Sequence, residues 1–170
     1  LTPMTNIIMK NGGTIDKYMG DCIMAFWNAP IDAPNHKEKA IDSALEMIVK
    51  LKQLNDNNSF GDGNKLNIGI GINSGEAVVG NMGSEQRFDY SVLGDAVNLA
   101  SRLEGISKNY DATLVVGEDT YQNISHKYNF QKLDDVQVKG KSNKVAIYTV
   151  RESNDSITEK ETTEKFEKIN

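Results

Sequence analysis

Apolar residues return every three or four positions between residues 36 and 54, which is the repeat of an α-helix that buries one face. The positions on this face are Ala40, Ile41, Ala44, Leu45, Ile48, Leu51 and Leu54. Asn35 and Glu38 have the spacing of a capping box, in which two side chains satisfy free N–H groups of the first helical turn. The pattern therefore predicts one long amphipathic helix that begins near Asn35.

A different repeat follows at residues 66–72, where every second residue is aliphatic. These positions are Leu66, Ile68, Ile70 and Ile72. Strict alternation of this kind predicts a strand with one aliphatic face. Gly69 and Gly71 fall on its other face, where the missing side chains would allow another backbone to approach closely.

The rest of the chain alternates short helical and strand-like segments. One predicted helix ends at Lys10, and two others span Asp95–Asn109 and Asp119–Ile124. The further predicted strands are Thr14–Tyr18, Asp21–Trp27, Glu76–Met82, Thr113–Val116, Asn129–Val138 and Val145–Val150. Met19-Gly20 fits a two-residue hairpin turn between the first two strands, because glycine tolerates positive φ. Mixed elements with several hairpins predict an α+β fold in preference to a doubly wound parallel sheet.

Composition narrows the classes of function. The chain has 170 residues, enough for one domain with a sizeable core, and we assign residues 1–150 to that domain and 151–170 to a polar, charged tail. The formal net charge of −5, without a basic stripe, argues against nucleic acid as a partner. The single cysteine, Cys22, excludes an intrachain disulfide and fits a cytoplasmic location. Its apolar neighbours predict a core position.

The sequence shows neither a signal peptide nor an apolar run near the roughly 20 residues that cross a bilayer. It begins at Leu1 rather than at methionine. We therefore expect a fragment of a longer protein, which could carry an upstream sensor or a membrane domain.

Two pairs of polar residues are candidates for chemistry. Lys17 and Asp21 flank the predicted hairpin turn, where Asp21 would open its strand and present a carboxylate, the kind of oxygen ligand that Mg²⁺ takes. Asn98 and Arg102 lie four apart on a predicted helix and share one face. An amide and a guanidinium placed together would suit a pentavalent phosphate.

Ser91 and Lys139 are weaker candidates. Ser91 precedes the second long helix and could read a base edge with its hydroxyl, and Lys139 lies in a basic turn that could reach phosphate. Five of these residues also have ordinary explanations: a surface lysine, an aspartate that favours a turn, an arginine paired with Glu104, a loop serine or a solvated basic turn. Residue type alone leaves both interpretations open.

Three motifs in one order give a resemblance to a known family. They are GTIDKYMGD at Gly13–Asp21 with MAFW at Met24–Trp27, GIGINSGE at Gly69–Glu76, and DYSVLGDAVNLASRLE at Asp89–Glu104. In this order and separation they resemble the class III adenylate and guanylate cyclase catalytic domain, over nearly all of residues 1–150. The resemblance implies the ferredoxin-like, palm-type α+β fold, with a mixed and mostly antiparallel sheet packed by helices.

The resemblance also implies a reaction, in which the ribose 3′-hydroxyl attacks the α-phosphate of a nucleoside triphosphate and pyrophosphate leaves. Two divalent ions, Mg²⁺ or Mn²⁺, are implied for each site, with Asp21 as a metal ligand. Asn98 would orient the ribose, and Arg102 would stabilise charge on the α-phosphate in the transition state. Lys139 would contact the triphosphate.

Lys17 and Ser91 would read the base. Adenylate enzymes of the family carry lysine at the first position, where guanylate enzymes tend to have glutamate. Ser91 keeps a hydroxyl where bacterial adenylate cyclases often have threonine and guanylate cyclases usually have cysteine. The resemblance therefore implies ATP as the substrate and cyclic AMP as the product.

The family's sites lie between two protomers, so the resemblance implies a homodimer in which Lys17 and Asp21 of one chain serve opposite sites. The family's first strand and its other metal aspartate would lie before Leu1. We expect them to be missing here and the 170-residue chain alone to have little or no activity. The alternatives are a guanylate cyclase or a non-catalytic nucleotide-binding and dimerisation module. A diguanylate cyclase is disfavoured because Gly20-Asp21 continues into Cys22-Ile23.

Overall fold

The computed structural model describes residues 1–137 and 144–151. Within them the helices are α1 (Thr2–Lys10), α2 (His36–Asp56), α3 (Asp95–Ile106) and α4 (Glu118–Tyr121), and a 3₁₀ turn follows α3 at Ser107–Tyr110. The strands are β1 (Thr14–Met19), β2 (Cys22–Phe26), β3 (Ile70–Ile72), β4 (Val78–Ser84), β5 (Arg87–Leu93), β6 (Leu114–Gly117), β7 (Phe130–Gln137) and β8 (Lys144–Val150). Over these residues no helix combines the length and hydropathy that crossing a bilayer requires.

The strands form one four-stranded sheet and two separate hairpins. The sheet has the order β3-β6-β8-β7; β3 runs parallel to β6, and the other neighbours are antiparallel. The hairpins are β1–β2 and β4–β5. This mixed, mostly antiparallel arrangement with helices confirms the predicted α+β class. The predicted polar tail begins at residue 151, and from residue 152 it lies outside the described residues.

Two apolar clusters hold the helices on opposite faces of the sheet. One joins α2 to the sheet through the buried residues Ile41, Ala44, Leu114, Val116 and Ile124. The other joins α3 to the sheet through Leu99, Leu103, Val115, Val145 and Ile147. Successive residues of β6 enter opposite clusters because side chains alternate across a strand. The domain therefore has three layers, helix, sheet and helix.

The glycine face of β3 is where α3 packs. A Cβ on Gly71 would lie 2.1 Å from the carbonyl oxygen of Ala100 and 2.4 Å from the backbone nitrogen of Glu104. A Cβ on Gly69 would lie 2.6 Å from Oγ of Ser107. The prediction that another backbone approaches this face is confirmed, and the close approach fixes the position of the helix that carries Asn98 and Arg102.

Several local predictions are wrong for reasons that the structure makes clear. The strand predicted from Leu66 is reduced to three residues, because the side chain of Asn55 accepts from the backbone N–H of Leu66 and donates to its carbonyl, both at 2.9 Å. No capping bond forms from Asn35; Glu38 instead accepts a 2.6 Å hydrogen bond from Lys127. The long helix still begins where its apolar repeat predicts.

The turn of the first hairpin lies one residue later than predicted. Met19 pairs with Cys22, so Gly20, with φ +64°, and Asp21 form the turn. Asp21 therefore does not open the strand, and Cys22 is exposed rather than part of the core. Positive φ at one residue is enough to end β1 at Met19.

Candidate active site

Lys17 and Ser91 lie on different hairpins and meet at one carboxylate. Ser91 belongs to β5, not to the loop expected from sequence, and it is only 5% exposed. Its hydroxyl donates a 2.9 Å hydrogen bond to Oδ2 of Asp16. The Nζ atom of Lys17 lies 3.5 Å from Oδ1 of the same aspartate. The structure thus brings the two proposed base-reading residues together through a third, Asp16, on β1.

Sequence reasoning missed Asp16. Its side chain is 0% exposed, while that of Lys17 is 46% exposed, and along β1 three partly buried residues are followed by three exposed ones instead of an alternation. The register of the hairpin shifts between Ile15 and Lys17, and a bulge of this kind re-aims the side chains beside it. An aspartate within a strand-like run, next to a candidate lysine, was the signal that could have found it.

Space is available beside Ser91. Gly80 on β4 pairs with Ser91 across the hairpin, and residues directly opposite in an antiparallel pair share a face. A Cβ built on Gly80 would meet nothing within 4 Å. Open space therefore adjoins the position of Ser91 on its β4 side, where a flat ligand could lie.

Asn98 and Arg102 project from the outer side of α3. Both are exposed, whereas Leu99 and Leu103 on the opposite side of the helix are 3% and 0% exposed. Within the described part of the chain neither polar side chain makes a hydrogen bond or an ion pair, and the expected ordinary partner of Arg102, Glu104, is not bonded to it. The amide and the guanidinium are left available on one face.

Asp21 is exposed in the turn of the first hairpin, next to Cys22. Partial burial of the Cys22 thiol raises its pKa, and the carboxylates of Glu104 on α3 and of Asp21 raise it further. The thiol is therefore held in its protonated form and is a poor nucleophile. Asp21 is therefore the group in this turn that could bind a metal ion.

The described residues contain no cluster of three or more His, Cys, Asp or Glu that could hold a metal. Mg²⁺ is commonly bound through one or two carboxylates together with substrate phosphates, and a single exposed carboxylate at Asp21 fits that mode. The structure does not bring Asp21 and Arg102 into contact. Lys139 lies outside the described residues, so its predicted role remains a prediction.

Comparison with known proteins decides which family the three motifs belong to. Residues 2–152 match the model of the adenylate and guanylate cyclase catalytic domain. The chain belongs to this family. An adenylate cyclase of Anabaena cylindrica is 36% identical over 158 residues, which cover 89% of this chain and 30% of that protein. Adenylate cyclase 1 of Rhizobium meliloti (strain 1021) is 32% identical over 86% of this chain and 22% of its own length.

Solved cyclase structures share the fold. The adenylyl cyclase CyaB from P. aeruginosa superposes with a TM-score of 0.77 at 34% identity, over 90% of this chain and 79% of that one. The guanylyl cyclase Cya2 gives 0.74 at 33% identity, over 88% and 75%. The predicted cyclase fold is confirmed. The two scores are too close to distinguish an adenylate from a guanylate enzyme, and the chain spans less than a third of the two curated relatives.

Proposed function

We propose that this domain is the catalytic domain of an adenylate cyclase, which converts ATP to 3′,5′-cyclic AMP and pyrophosphate. The observation that carries the proposal is the junction of Lys17 and Ser91 at Asp16, within a chain of the cyclase family. A lysine can only donate hydrogen bonds, and a serine hydroxyl can also accept them. Together they match the edge of adenine, which offers an acceptor nitrogen beside an amino donor.

Arg102 and Asn98 would act at the ribose and phosphates. Because neither side chain has a partner within the described residues, both are free to turn toward a ligand without breaking an existing bond. Arg102 would place its planar fork of donors on the α-phosphate as charge develops there. Asn98, one turn earlier on α3, would hold the ribose so that its 3′-hydroxyl lies in line with the phosphate.

Asp21 would hold one of two divalent ions, Mg²⁺ or Mn²⁺. When bound, such ions supply Lewis-acid stabilisation of the phosphate and lower the pKa of the attacking hydroxyl. The contribution of the protein is the exposed carboxylate in a turn fixed by Gly20. Lys139 would contact the triphosphate.

A homodimer would complete the site, because Asp21, in the turn between β1 and β2, is not in contact with Arg102 of the same chain. Large apolar side chains are exposed on both hairpins: Tyr18 and Met19 on β1, and Val78, Phe88 and Leu93 on β4–β5. Exposed apolar side chains on two hairpins are a candidate protein interface. We assign it to a second copy of the chain, so that the carboxylate of one protomer approaches α3 of the other.

A domain that uses ATP and carries a single cysteine would work in the cytoplasm.

The test is production of cyclic AMP by the full-length protein with Mg²⁺ or Mn²⁺, assayed beside production of cyclic GMP from GTP. Cyclic AMP as the main product supports the proposal, and cyclic GMP as the main product would instead identify a guanylate cyclase. Absence of both, with nucleotide binding retained, would favour the non-catalytic module. Sedimentation over a concentration series checks the dimer separately.

A further inference from the structure

Asp16 is a buried carboxylate that the proposed reaction does not use. Its side chain is 0% exposed, and its oxygens face two different residues. Oδ2 accepts the hydroxyl hydrogen of Ser91 at 2.9 Å. Oδ1 makes no hydrogen bond and lies 3.5 Å from Nζ of Lys17.

Such a group is expensive to bury. A carboxylate taken out of water needs several good hydrogen bonds to offset its desolvation, and Asp16 has one hydrogen bond and one long ion pair. The stability of the fold therefore does not account for it. Both of its partners are the residues assigned to the base, which points to recognition as its role.

The hydrogen bond fixes the direction in which Ser91 can bond. A serine hydroxyl has one hydrogen to donate and two lone pairs that accept, and a carboxylate only accepts. Because the single hydrogen of Ser91 points at Asp16, the oxygen of Ser91 can meet a ligand only as an acceptor. Lys17, drawn to the other oxygen of Asp16, remains a donor beside it.

We propose that Asp16 is a positioning residue that sets base specificity, by making Ser91 an obligate acceptor and holding Lys17 next to it as a donor. This inference rests on the proposed function. The exocyclic amino group of adenine donates, while the corresponding oxygen of guanine accepts. Adenine would therefore satisfy both protein groups, whereas guanine would set its oxygen against an oxygen and its N1 hydrogen against an ammonium.

The open space over Gly80 lies on the side of Ser91 where that base edge would be. Ser91 itself is buried, at 5% exposure, and the space beside Gly80 is the side from which a base edge would approach it. The buried oxygens of Asp16 need not contact the base at all. Asp16 thus acts through Ser91 and Lys17, and its removal should alter which base is accepted more than how fast bound ATP reacts.

The experiment replaces Asp16 with the isosteric amide in the full-length enzyme and measures kcat and KM separately for ATP and GTP. In Asp16→Asn the amide can donate to Ser91 or accept from it, so the hydroxyl becomes free to donate to guanine. We expect the ratio of kcat/KM for ATP over GTP to fall about tenfold or more, mostly through KM, which is the range for one hydrogen bond to a charged group.

The matched control is Asp134→Asn on β7, which makes the same chemical change. Asp134 also accepts a hydrogen bond from a hydroxyl, that of Tyr110, at 2.8 Å. It should leave the ratio unchanged. Ser91→Ala provides an independent variant in case Asp16→Asn folds poorly. It should also lose preference for ATP. Adding Asp16→Asn to Ser91→Ala should lower the ATP-over-GTP ratio by a smaller factor than Asp16→Asn does in the wild type.

A wild-type enzyme that makes cyclic AMP, together with an Asp16→Asn variant that keeps its ATP preference, would overturn the inference. Asp16→Asn could also lower the ATP-over-GTP ratio equally in the wild type and in Ser91→Ala. That result would overturn the inference as well, because the two residues would then act independently. A wild type that makes no cyclic nucleotide would overturn the proposed function instead. In that case relative binding of ATP and GTP by wild type and variant decides the role of Asp16.

Discussion

The two ends of the candidate site are built in opposite ways. At the base end, Ser91 is already hydrogen-bonded to a buried carboxylate within one chain, and Lys17 forms an ion pair with it. At the phosphate end, Asn98 and Arg102 are exposed and make no polar side-chain contact within the described residues. The base end is thus ordered before a ligand arrives, whereas the phosphate end is left free to adjust.

The difference matches what each end would do under the proposed function. Discriminating two bases of similar shape depends on the direction of hydrogen bonds, and that direction must be fixed in advance to exclude the wrong base. Stabilising a phosphate that changes charge during reaction depends on contacts that strengthen only in the transition state. An arginine already paired with Glu104 would have to break that pair first.

The largest expected effect is loss of the turn carboxylate. Asp21→Ala in the full-length protein should lower cyclic AMP production by about a thousandfold or more, since a metal-bound site supplies several kcal/mol of barrier lowering. Circular dichroism should show an unchanged melting curve because Asp21 is exposed and its turn depends on Gly20. Asp32→Ala, another exposed aspartate, is the control. Normal turnover in the Asp21 variant would remove this residue from the mechanism.

Arg102→Ala should have the next largest effect, and it tests whether the phosphate end acts in the transition state. We expect kcat to fall about 100-fold to 1,000-fold, as for loss of one donor to a developing oxyanion, with a smaller change in KM. Arg102→Lys should recover part of the rate, because it keeps the charge and loses the fork. Lys108→Ala controls for removal of a nearby positive charge. A larger change in KM than in kcat would mean that Arg102 binds the ground state.

Gly71→Ala should affect the phosphate end and leave the base end unchanged, because it displaces α3 alone. The new Cβ would lie 2.1 Å from the carbonyl oxygen of Ala100, and overpacking of this kind costs about 2–3 kcal/mol. We expect Tm to fall by about 5–10 °C. Gly105→Ala on the same helix, where a Cβ meets nothing within 4 Å, should instead raise Tm by about 2 °C.

The base preference of the folded Gly71→Ala variant should stay near that of the wild type, because Asp16 and Ser91 belong to the two hairpins and not to α3. Its rate should fall, because Asn98 and Arg102 move with the helix. A lost ATP preference with an unchanged rate would contradict the division into two ends.

The same division explains what could be predicted from sequence. The long helix and the glycine face of β3 follow from local periodicity, and the exposure of Arg102 opposite Leu103 follows from helical spacing. The resemblance supplied the family, and the match of residues 2–152 bears it out. These features depend on residues close together in the chain or on long ordered motifs.

Contacts between distant segments were not predictable in this way. The bond between Asp16 and Ser91 joins residues 75 positions apart, and it depends on how two hairpins pack rather than on either hairpin alone. Ser91 was expected in a loop, although polar and apolar residues alternate from Arg87 to Val92, and this alternation was the signal that could have placed it in a strand. Cys22 was assigned to the core from its neighbours, but the turn at Gly20 and Asp21 leaves it exposed.

The smallest expected effect is that of Ser91→Thr, which asks whether the base end is set by polarity or by volume. Threonine keeps the hydroxyl that donates to Asp16 and adds one methyl group, for which the open space over Gly80 leaves room. We expect kcat/KM for ATP to change by less than about threefold, within the cost of a well-accommodated methylene, and GTP to remain a poor substrate. Ser91→Ala, which is smaller but lacks the hydroxyl, should lose far more preference for ATP. If threonine disturbed base preference as much as alanine does, the volume at this position would matter more than the direction of its hydrogen bond, and the base end would be no more ordered by Asp16 than the phosphate end is.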